Sequence, residues 1–123
     1  MGGPEMPSFP LSDCLVAVVD DVVRGVGGWR TLSDTEAKKT LLAVAPAWAH
    51  LGLGRRLQTA RLGILREMGM RSVTTNTDDP RVAHWLERKH GFRKTGDTVP
   101  KEADFGNPDI DHWTTLRVDW PKR

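Results

Sequence analysis

Residues 41–55 read LLAVAPAWAHLGLGR, and the order of their apolar, proline and glycine residues decides the fold. The first five residues are all apolar, which is typical of a central strand that is covered on both faces. Pro46 ends that strand, and Gly52 and Gly54 open a long helix. Glycine lets the backbone approach a ligand closely, and the first N–H groups of a helix lack partners. The turn therefore predicts an anion site.

The apolar spacing after this turn predicts a helix from Gly52 to Met68, with Gly69 as its C-terminal cap. One face of the helix is expected to pack on a sheet, because apolar residues recur at steps of three and four. The members of this stripe are Leu53, Leu57, Ala60, Ile64 and Met68.

A short strand is predicted from Ser72 to Thr77. Asp79 and Pro80 are the residue types favoured at the N-cap and the first position of a helix, so a second helix is predicted to begin there. It is expected to run to His90 and to stop at Gly91, and its predicted core-facing residues are Val82, Ala83 and Leu86.

Apolar runs bounded by turn residues predict four further strands. They are Cys14–Val19, Val22–Leu32, Phe92–Val99 and Trp113–Asp119. The first two form a predicted hairpin at Asp20 and Asp21, and a polar turn at Ser33 to Glu36 precedes the central strand. The resulting order β-β-β-α-β-α-β-β indicates an α/β (α+β) fold with a mixed, mostly antiparallel sheet.

Length and composition limit the possible functions. A chain of 123 residues is expected to form one domain, 1–123, with residues 1–13 as a flexible arm. Its net charge of +2 produces no field that would favour nucleic acid or a membrane as partner. The single cysteine, Cys14, excludes an internal disulfide and fits the cytoplasm. The apolar run Leu15 to Val19 is too short for a signal sequence or a membrane span.

Other familiar anion and metal motifs do not fit the sequence. The glycine turn has neither the lysine and Ser/Thr of a Walker loop nor the third glycine of a dinucleotide fold. Nucleotide hydrolysis and NAD chemistry are therefore disfavoured. Cys14 and the histidines lack the spacing of metal ligands, so no metal site is expected.

Three local matches make the chain similar to the GNAT superfamily of acyl-CoA-dependent N-acyltransferases, over about residues 16–99. The first is the strand from Leu42 to Pro46 that leads to Gly52-Leu53-Gly54. The second is the helix that ends at Met68-Gly69-Met70 before a new strand. The third is Ala83 followed by Lys89-His90-Gly91-Phe92, which resembles the closing helix and Gly-Phe turn of the family.

The resemblance implies that acetyl-CoA is the co-substrate. Backbone groups of Leu42 and Val44 would bind its pantetheine arm between two splayed strands. A neutral amine would attack the thioester directly, and the acceptor would be a small molecule or a peptide. The N–H groups that would wrap the pyrophosphate belong to His50, Leu51, Gly52, Leu53, Gly54 and Arg55.

The sequence departs from the family pattern at several positions. Ala49 replaces the usual glutamine or arginine at the start of the phosphate loop. Glu87 stands where many members have a tyrosine acid, and the chain has no tyrosine. Pro80 replaces an asparagine that contacts the cofactor arm, which leaves Asn76, Asp78 or Asp79 as substitutes.

The N-terminal strand and two helices that form one wall of the acceptor site in the family are not recognisable in the sequence. Three explanations are open: a second copy completes the wall, a large acceptor docks on an open groove, or acyl-CoA is bound without efficient transfer. An exposed sheet edge favours pairing between subunits, so we expect a homodimer.

Direct attack requires a base, because an amine is largely protonated at neutral pH. Glu36, Asp104 and His112 are the candidates for this base. A rival hypothesis is a catalytically weak or inactive acyl-CoA-binding protein of the same fold, with a regulatory or structural role. A nucleic-acid contact through the arginine-rich helix is the least favoured hypothesis, because the net charge is small.

Overall fold

The predicted alternation of strands and helices is present in the computed structural model, which describes residues 13–49, 51–101 and 108–121. Its strands are β1 (Cys14–Val19), β2 (Val22–Thr31), β3 (Glu36–Val44), β4 (Ser72–Thr77), β5 (Arg93–Pro100) and β6 (His112–Asp119). The helices are α1 (Leu53–Glu67) and α2 (Pro80–His90). The predicted arm lies, apart from Asp13, outside the described residues.

The six strands form a sheet in the order β1-β2-β3-β4-β6-β5. β3 and β4 run parallel, whereas the β1–β2, β4–β6 and β5–β6 pairs are antiparallel. The mixed, mostly antiparallel sheet predicted from the sequence is therefore confirmed. The chain groups into two compact units, Met1–Arg30 with Thr40–Ile64 and Thr31–Lys39 with Leu65–Arg123, and the described part of each is considered separately below.

The first unit begins with the β1–β2 hairpin. Asp20 and Asp21 have φ angles of 53° and 62°. Two successive positive φ angles give the type I′ turn, whose twist matches that of paired strands. The register shifts between Ala17 and Val18, so the hairpin contains a bulge. The predicted turn is confirmed.

Helix α1 lies close to β2 in this unit because β2 lacks side chains at the point of contact. A Cβ atom on Gly25 would lie 2.7 Å from Leu57 Cδ1 and 3.2 Å from the carbonyl oxygen of Ala43. Both distances are shorter than ordinary packing distances, so a larger residue at this position would require Leu57 and the backbone of Ala43 to shift.

The buried face of α1 differs from the predicted stripe. Leu53 and Leu57 are buried as expected, but Ala60 is exposed and Met68 is 47% exposed. Arg61, four residues after Leu57, is buried instead. The apolar spacing predicts that a charged residue is exposed to solvent. It contains no information about buried hydrogen-bond acceptors that allow a guanidinium group to be buried.

The second unit contains the first residues of β3. Glu36 and Lys38 of β3 pair in parallel with Ser72 and Thr74 of β4. The sequence predicted a turn at Glu36 and a strand only from residue 41, so that strand boundary was wrong. Lys39 is 4% exposed, with its ammonium group 5.2 Å from the centre of the Phe92 ring. A lysine in a buried position interrupts the alternation of apolar and polar residues from which a strand is predicted.

Apolar residues from the strands and from α2 form the core of the second unit. The glycines that end α1 and α2 in this unit were predicted correctly. The completely or almost completely buried residues include Val73, Leu86, Phe92 and Leu116. Gly91 ends α2 with a φ of 73°. At the end of α1, Gly69 N–H bonds to Arg66 O and Met70 N–H to Leu65 O, both at 3.1 Å, which is a Schellman cap.

Asp79 caps α2, and the Asp79→Ala variant is expected to lose about 1 kcal/mol of stability at neutral pH. Its Oδ1 accepts a hydrogen bond of 2.9 Å from the Arg81 N–H, and this bond is the main reason why the pKa of Asp79 lies below 3.8. Because the pKa of Asp79 is lower in the folded state than in the unfolded state, its carboxylate stabilises the fold above pH 3.8. This stability is lost as the pH falls through the folded-state pKa. Urea unfolding at several pH values measures this difference.

The Asp79→Asn variant is the matched control, because asparagine caps a helix as well as aspartate but does not titrate. It should keep the stability of the wild type at neutral pH and lose the pH dependence. Equal stability of Asp79→Ala and wild type at neutral pH would contradict the role of the cap.

Candidate functional site

In the first unit the chain leaves β3 through a tight turn that leads to α1. The Ala45 N–H bonds to Arg24 O at 2.7 Å, which holds the end of β3 on β2. Pro46–Trp48 form one turn of 3-10 helix, and the Leu51 N–H bonds to Trp48 O at 3.2 Å. The backbone is thus folded back on itself immediately before the two glycines.

Gly52 and the first turn of α1 present backbone donors. Gly52 has a φ of 76°, a conformation that favours glycine, and the Arg56 N–H donates to Gly52 O at 3.1 Å. Because this is the first backbone bond of the helix, the N–H groups of Leu53 and Gly54 have no acceptor within it. The first turn contains no acidic residue. The positive end of the helix dipole is therefore not neutralised by the helix itself.

Gly54 leaves open a space that the packing of the protein does not need. A Cβ atom on Gly54 would lie 3.7 Å from Val44 Cγ2 and 3.9 Å from Leu42 Cδ2, both ordinary contacts. The fold would accept an alanine at this position. The absence of a side chain instead lets a ligand approach the backbone between the end of β3 and the start of α1.

Most of the residues predicted to bind the cofactor lie together in this unit. Leu42 and Val44 flank Gly54, and Leu51 is 65% exposed beside the turn. Leu53 is buried, so it offers its backbone N–H and not its side chain. Arg55 is exposed in the first turn of α1, whereas His50 lies outside the described residues. The arrangement is suited to an anionic group held mainly by backbone donors.

Asn76 and Asp79, the other predicted contacts, belong to the second unit, at the carboxyl end of β4. Asn76 Oδ1 accepts a hydrogen bond of 2.8 Å from Thr115 Oγ1, which leaves its NH₂ group as a donor. Asp79 is the cap of α2, as described above. The side chain of Asp79 is thus engaged in holding the helix.

A buried ion pair next to these residues was not predicted from the sequence. Lys101 Nζ lies 2.7 Å from Asp78 Oδ2, and the two side chains are only 6% and 12% exposed. The ammonium group also lies 4.7 Å from the centre of the Trp113 ring, and the Lys101 N–H donates to Asp111 O at 3.0 Å. The pair therefore anchors Lys101, at the end of β5, to the carboxyl end of β4.

The structure separates the described candidates for the base. Glu36 is exposed and pairs with Ser72, which in turn pairs with Asp119. His112 is seven residues from Asp119 along β6, so about 23 Å of strand separates it from the level of Glu36. The two cannot act together. Asp104, the third candidate, lies outside the described residues.

His112 is accompanied by a carboxylate. Its Nδ1 lies 3.1 Å from Asp111 Oδ1, and this hydrogen bond lowers the pKa of Asp111. Both side chains are solvent-accessible, so Asp111 orients the imidazole without burying it. Thr114, two residues farther along β6, pairs with Thr77. His112 is thus at the same end of the sheet as Asn76 and Asp79.

Residues 10–94, more than half of the chain, match the sequence profile of the acetyltransferase (GNAT) domain family. This chain belongs to the GNAT family. The family assignment drawn from the glycine turn and the Gly-Phe helix end is confirmed. No curated protein sequence matches the chain closely enough to be called a relative. No helix among the described residues of this GNAT chain is both long and apolar enough to cross a membrane.

Solved structures share this GNAT fold. Ard1 from Thermoplasma volcanium is 28% identical, with a TM-score of 0.70 over 87% of this chain and 70% of its own. A GNAT acetyltransferase from Elizabethkingia anophelis with acetyl-CoA bound is 16% identical, with a TM-score of 0.72 over 86% of this chain and 74% of its own. A Bacillus subtilis acetyltransferase in complex with CoA is 18% identical, with a TM-score of 0.72 and coverages of 90% and 80%.

Proposed function

We propose that this GNAT protein transfers an acetyl group from acetyl-CoA to the primary amine of a small molecule or peptide. The observation that carries the proposal is the turn of the first unit, where Gly52 and Gly54 leave helix N–H groups accessible and the first turn of α1 contains no acidic residue. The proposal is supported by structures of the same fold that contain acetyl-CoA or CoA.

In this proposal the protein binds the co-substrate mainly through its backbone. Leu42 and Val44 bind the pantetheine arm. Ala49 has no polar side chain, so the pyrophosphate depends on N–H groups. The residues proposed to supply these groups are His50, Leu51, Gly52, Leu53, Gly54 and Arg55.

The proposed reaction is direct aminolysis of the thioester. The amine nitrogen bonds to the acetyl carbonyl carbon and loses a proton to the base, the C–S bond breaks, and CoA leaves as a thiolate that takes up a proton. The chain contains no tyrosine, so this proton comes from another group or from water. Of the three candidates for the base, we favour His112 over Glu36 and Asp104, because Asp111 orients it at the end of the sheet that carries Asn76.

Two measurements test the proposal. Isothermal titration calorimetry should detect binding of CoA and acetyl-CoA, and the absence of binding at millimolar ligand would refute the proposed function. Incubation with acetyl-CoA and a panel of amines should release free thiol at a rate that depends on the amine. Binding without thiol release would instead favour an acyl-CoA-binding protein without turnover, which the absence of a tyrosine acid also supports.

We also propose a cytoplasmic homodimer, formed at the β1 edge of the sheet. β1 is the terminal strand in the sheet order, and Val16 and Val18 on it are 44% and 57% exposed. An apolar edge strand is a ready surface for pairing with a second copy. Sedimentation equilibrium should show a dimer that the Val18→Lys variant dissociates, and a wild-type monomer at all concentrations would exclude this assembly.

A further inference from the structure

Arg61 is a buried arginine in the middle of α1, in the first unit. Its side chain is among the least exposed in the structure, with a residue exposure of 1%. Nη1 donates to Gly28 O at 2.8 Å and to Leu41 O at 2.9 Å, and Nη2 donates to Gln58 Oε1 at 2.9 Å. One guanidinium thus connects α1 to two neighbouring strands, β2 and β3.

The side chain of Arg61 lies next to Gly27 of β2. A Cβ atom on Gly27 would lie 3.6 Å from Nη1 and 3.7 Å from Cδ of Arg61. The guanidinium therefore occupies the space above a residue that has no side chain. At these distances a Cβ atom would make ordinary van der Waals contacts with Arg61, so an alanine at position 27 would fit beside it.

Core stability does not explain why an arginine occupies this position. All three acceptors are neutral, Nε has no hydrogen-bond partner, and no ion pair among the described residues includes Arg61. Burial lowers the pKa of Arg61 to about 10. An apolar side chain of similar volume would avoid this desolvation, as it does when it replaces buried ionic groups in other proteins.

The position of the Leu41 carbonyl supplies another reason. A peptide unit is planar and trans, so a bond that fixes Leu41 O also fixes the Leu42 N–H, which points the opposite way. Leu42 and Val44 are the residues proposed to bind the pantetheine arm. Arg61 lies on the same helix whose first turn is proposed to bind the pyrophosphate, eight residues after Leu53.

We propose that Arg61 is a positioning residue of the acetyl-CoA site, which holds the Leu41 carbonyl and thereby aims the backbone of Leu42–Val44 at the pantetheine arm. The inference rests on the proposed function. Arg61 does not touch the ligand in this proposal. It keeps the binding strand and the binding end of α1 in a fixed arrangement.

The Arg61→Met variant tests this role, because it keeps an unbranched apolar stem and removes the charge and the donors. Loss of hydrogen bonds from a charged donor should raise the Kd of CoA and the KM of acetyl-CoA about tenfold. The KM of the amine should not change. The Arg61→Lys variant keeps the charge and has an ammonium donor group in place of the planar guanidinium, so it should recover part of the affinity. The Arg66→Met variant removes an exposed charge from the same helix and should bind CoA like the wild type.

A purely structural role would lower Tm and the active fraction without changing the Kd of CoA, because affinity refers only to folded molecules. Unchanged CoA binding in Arg61→Met would therefore overturn the inference and leave the proposed function intact. If the wild-type protein does not bind CoA, both the proposed function and the positioning role of Arg61 are refuted. If Arg61→Met does not fold, Arg61→Lys decides, and unchanged affinity there overturns the inference. Hydrogen exchange of the ligand-free protein should also be faster at residues 41–44 in Arg61→Met, and unchanged exchange contradicts the positioning role.

Discussion

The Gly54→Val variant is expected to fold and to lose at least about a hundredfold in CoA affinity, which corresponds to about 2.7 kcal/mol. A side chain at this position would fill the space beside Val44 and Leu42 that the proposed ligand enters. Gly54 lies in the first turn of α1 with ordinary distances to its neighbours, so the substitution should affect the ligand more than the fold. Calorimetry with CoA measures the loss, and circular dichroism checks that the protein is folded.

Gly63→Ala is the matched control on the same helix. A Cβ atom on Gly63 would meet nothing within 4 Å. The variant should bind CoA like the wild type and gain about 0.5–1 kcal/mol of stability, because alanine loses less conformational entropy than glycine in a helix. A folded Gly54→Val protein with the CoA affinity of the wild type would show that the glycine turn is not the binding site.

Removal of the buried carboxylate in Asp78→Ala is expected to destabilise the protein by about 3–5 kcal/mol. The variant removes the Asp78 carboxylate from the buried ammonium group of Lys101, which lies against Trp113. Such a loss is a large part of the 5–15 kcal/mol typical of a small domain. Urea unfolding monitored by tryptophan fluorescence gives the difference directly.

Asp119→Ala provides the comparison with an exposed ion pair. Asp119 Oδ2 is only 2.6 Å from Arg93 Nη2, but the two side chains are 39% and 64% exposed. Solvent screens such a pair, so its loss should cost about 1 kcal/mol or less despite the shorter distance. The double variant Asp78→Ala/Lys101→Met should regain stability relative to Asp78→Ala. Equal losses for Asp78→Ala and Asp119→Ala would contradict the role assigned to burial.

Local chemistry explains which parts of the fold the sequence could predict. Asp20 and Asp21 in the hairpin turn, Asp79 before Pro80, and Gly91 after α2 each act on their immediate neighbours, so their residue types suffice. The glycine turn was also predictable, because a buried strand followed by glycines and a helix is itself a sequence pattern.

The missed features depend on distant partners. Lys39 and Arg61 are charged residues in buried positions, and a hydropathy pattern assigns both to solvent. Asp78 and Lys101 are 23 residues apart, and the local sequence around either residue does not predict their ion pair. The candidate site was therefore predictable where backbone geometry forms it. The side chains that support it became visible only in the structure.

The arrangement of the two units along the chain has a consequence for biosynthesis. Every residue of the first unit precedes Leu65, whereas the second unit needs residues up to the end of β6. During synthesis from the N-terminus, the glycine turn, Arg61 and the strands that accept its hydrogen bonds thus leave the ribosome before β4 does. The proposed phosphate-binding end of the protein has all its own partners available while the remainder of the chain is still being translated.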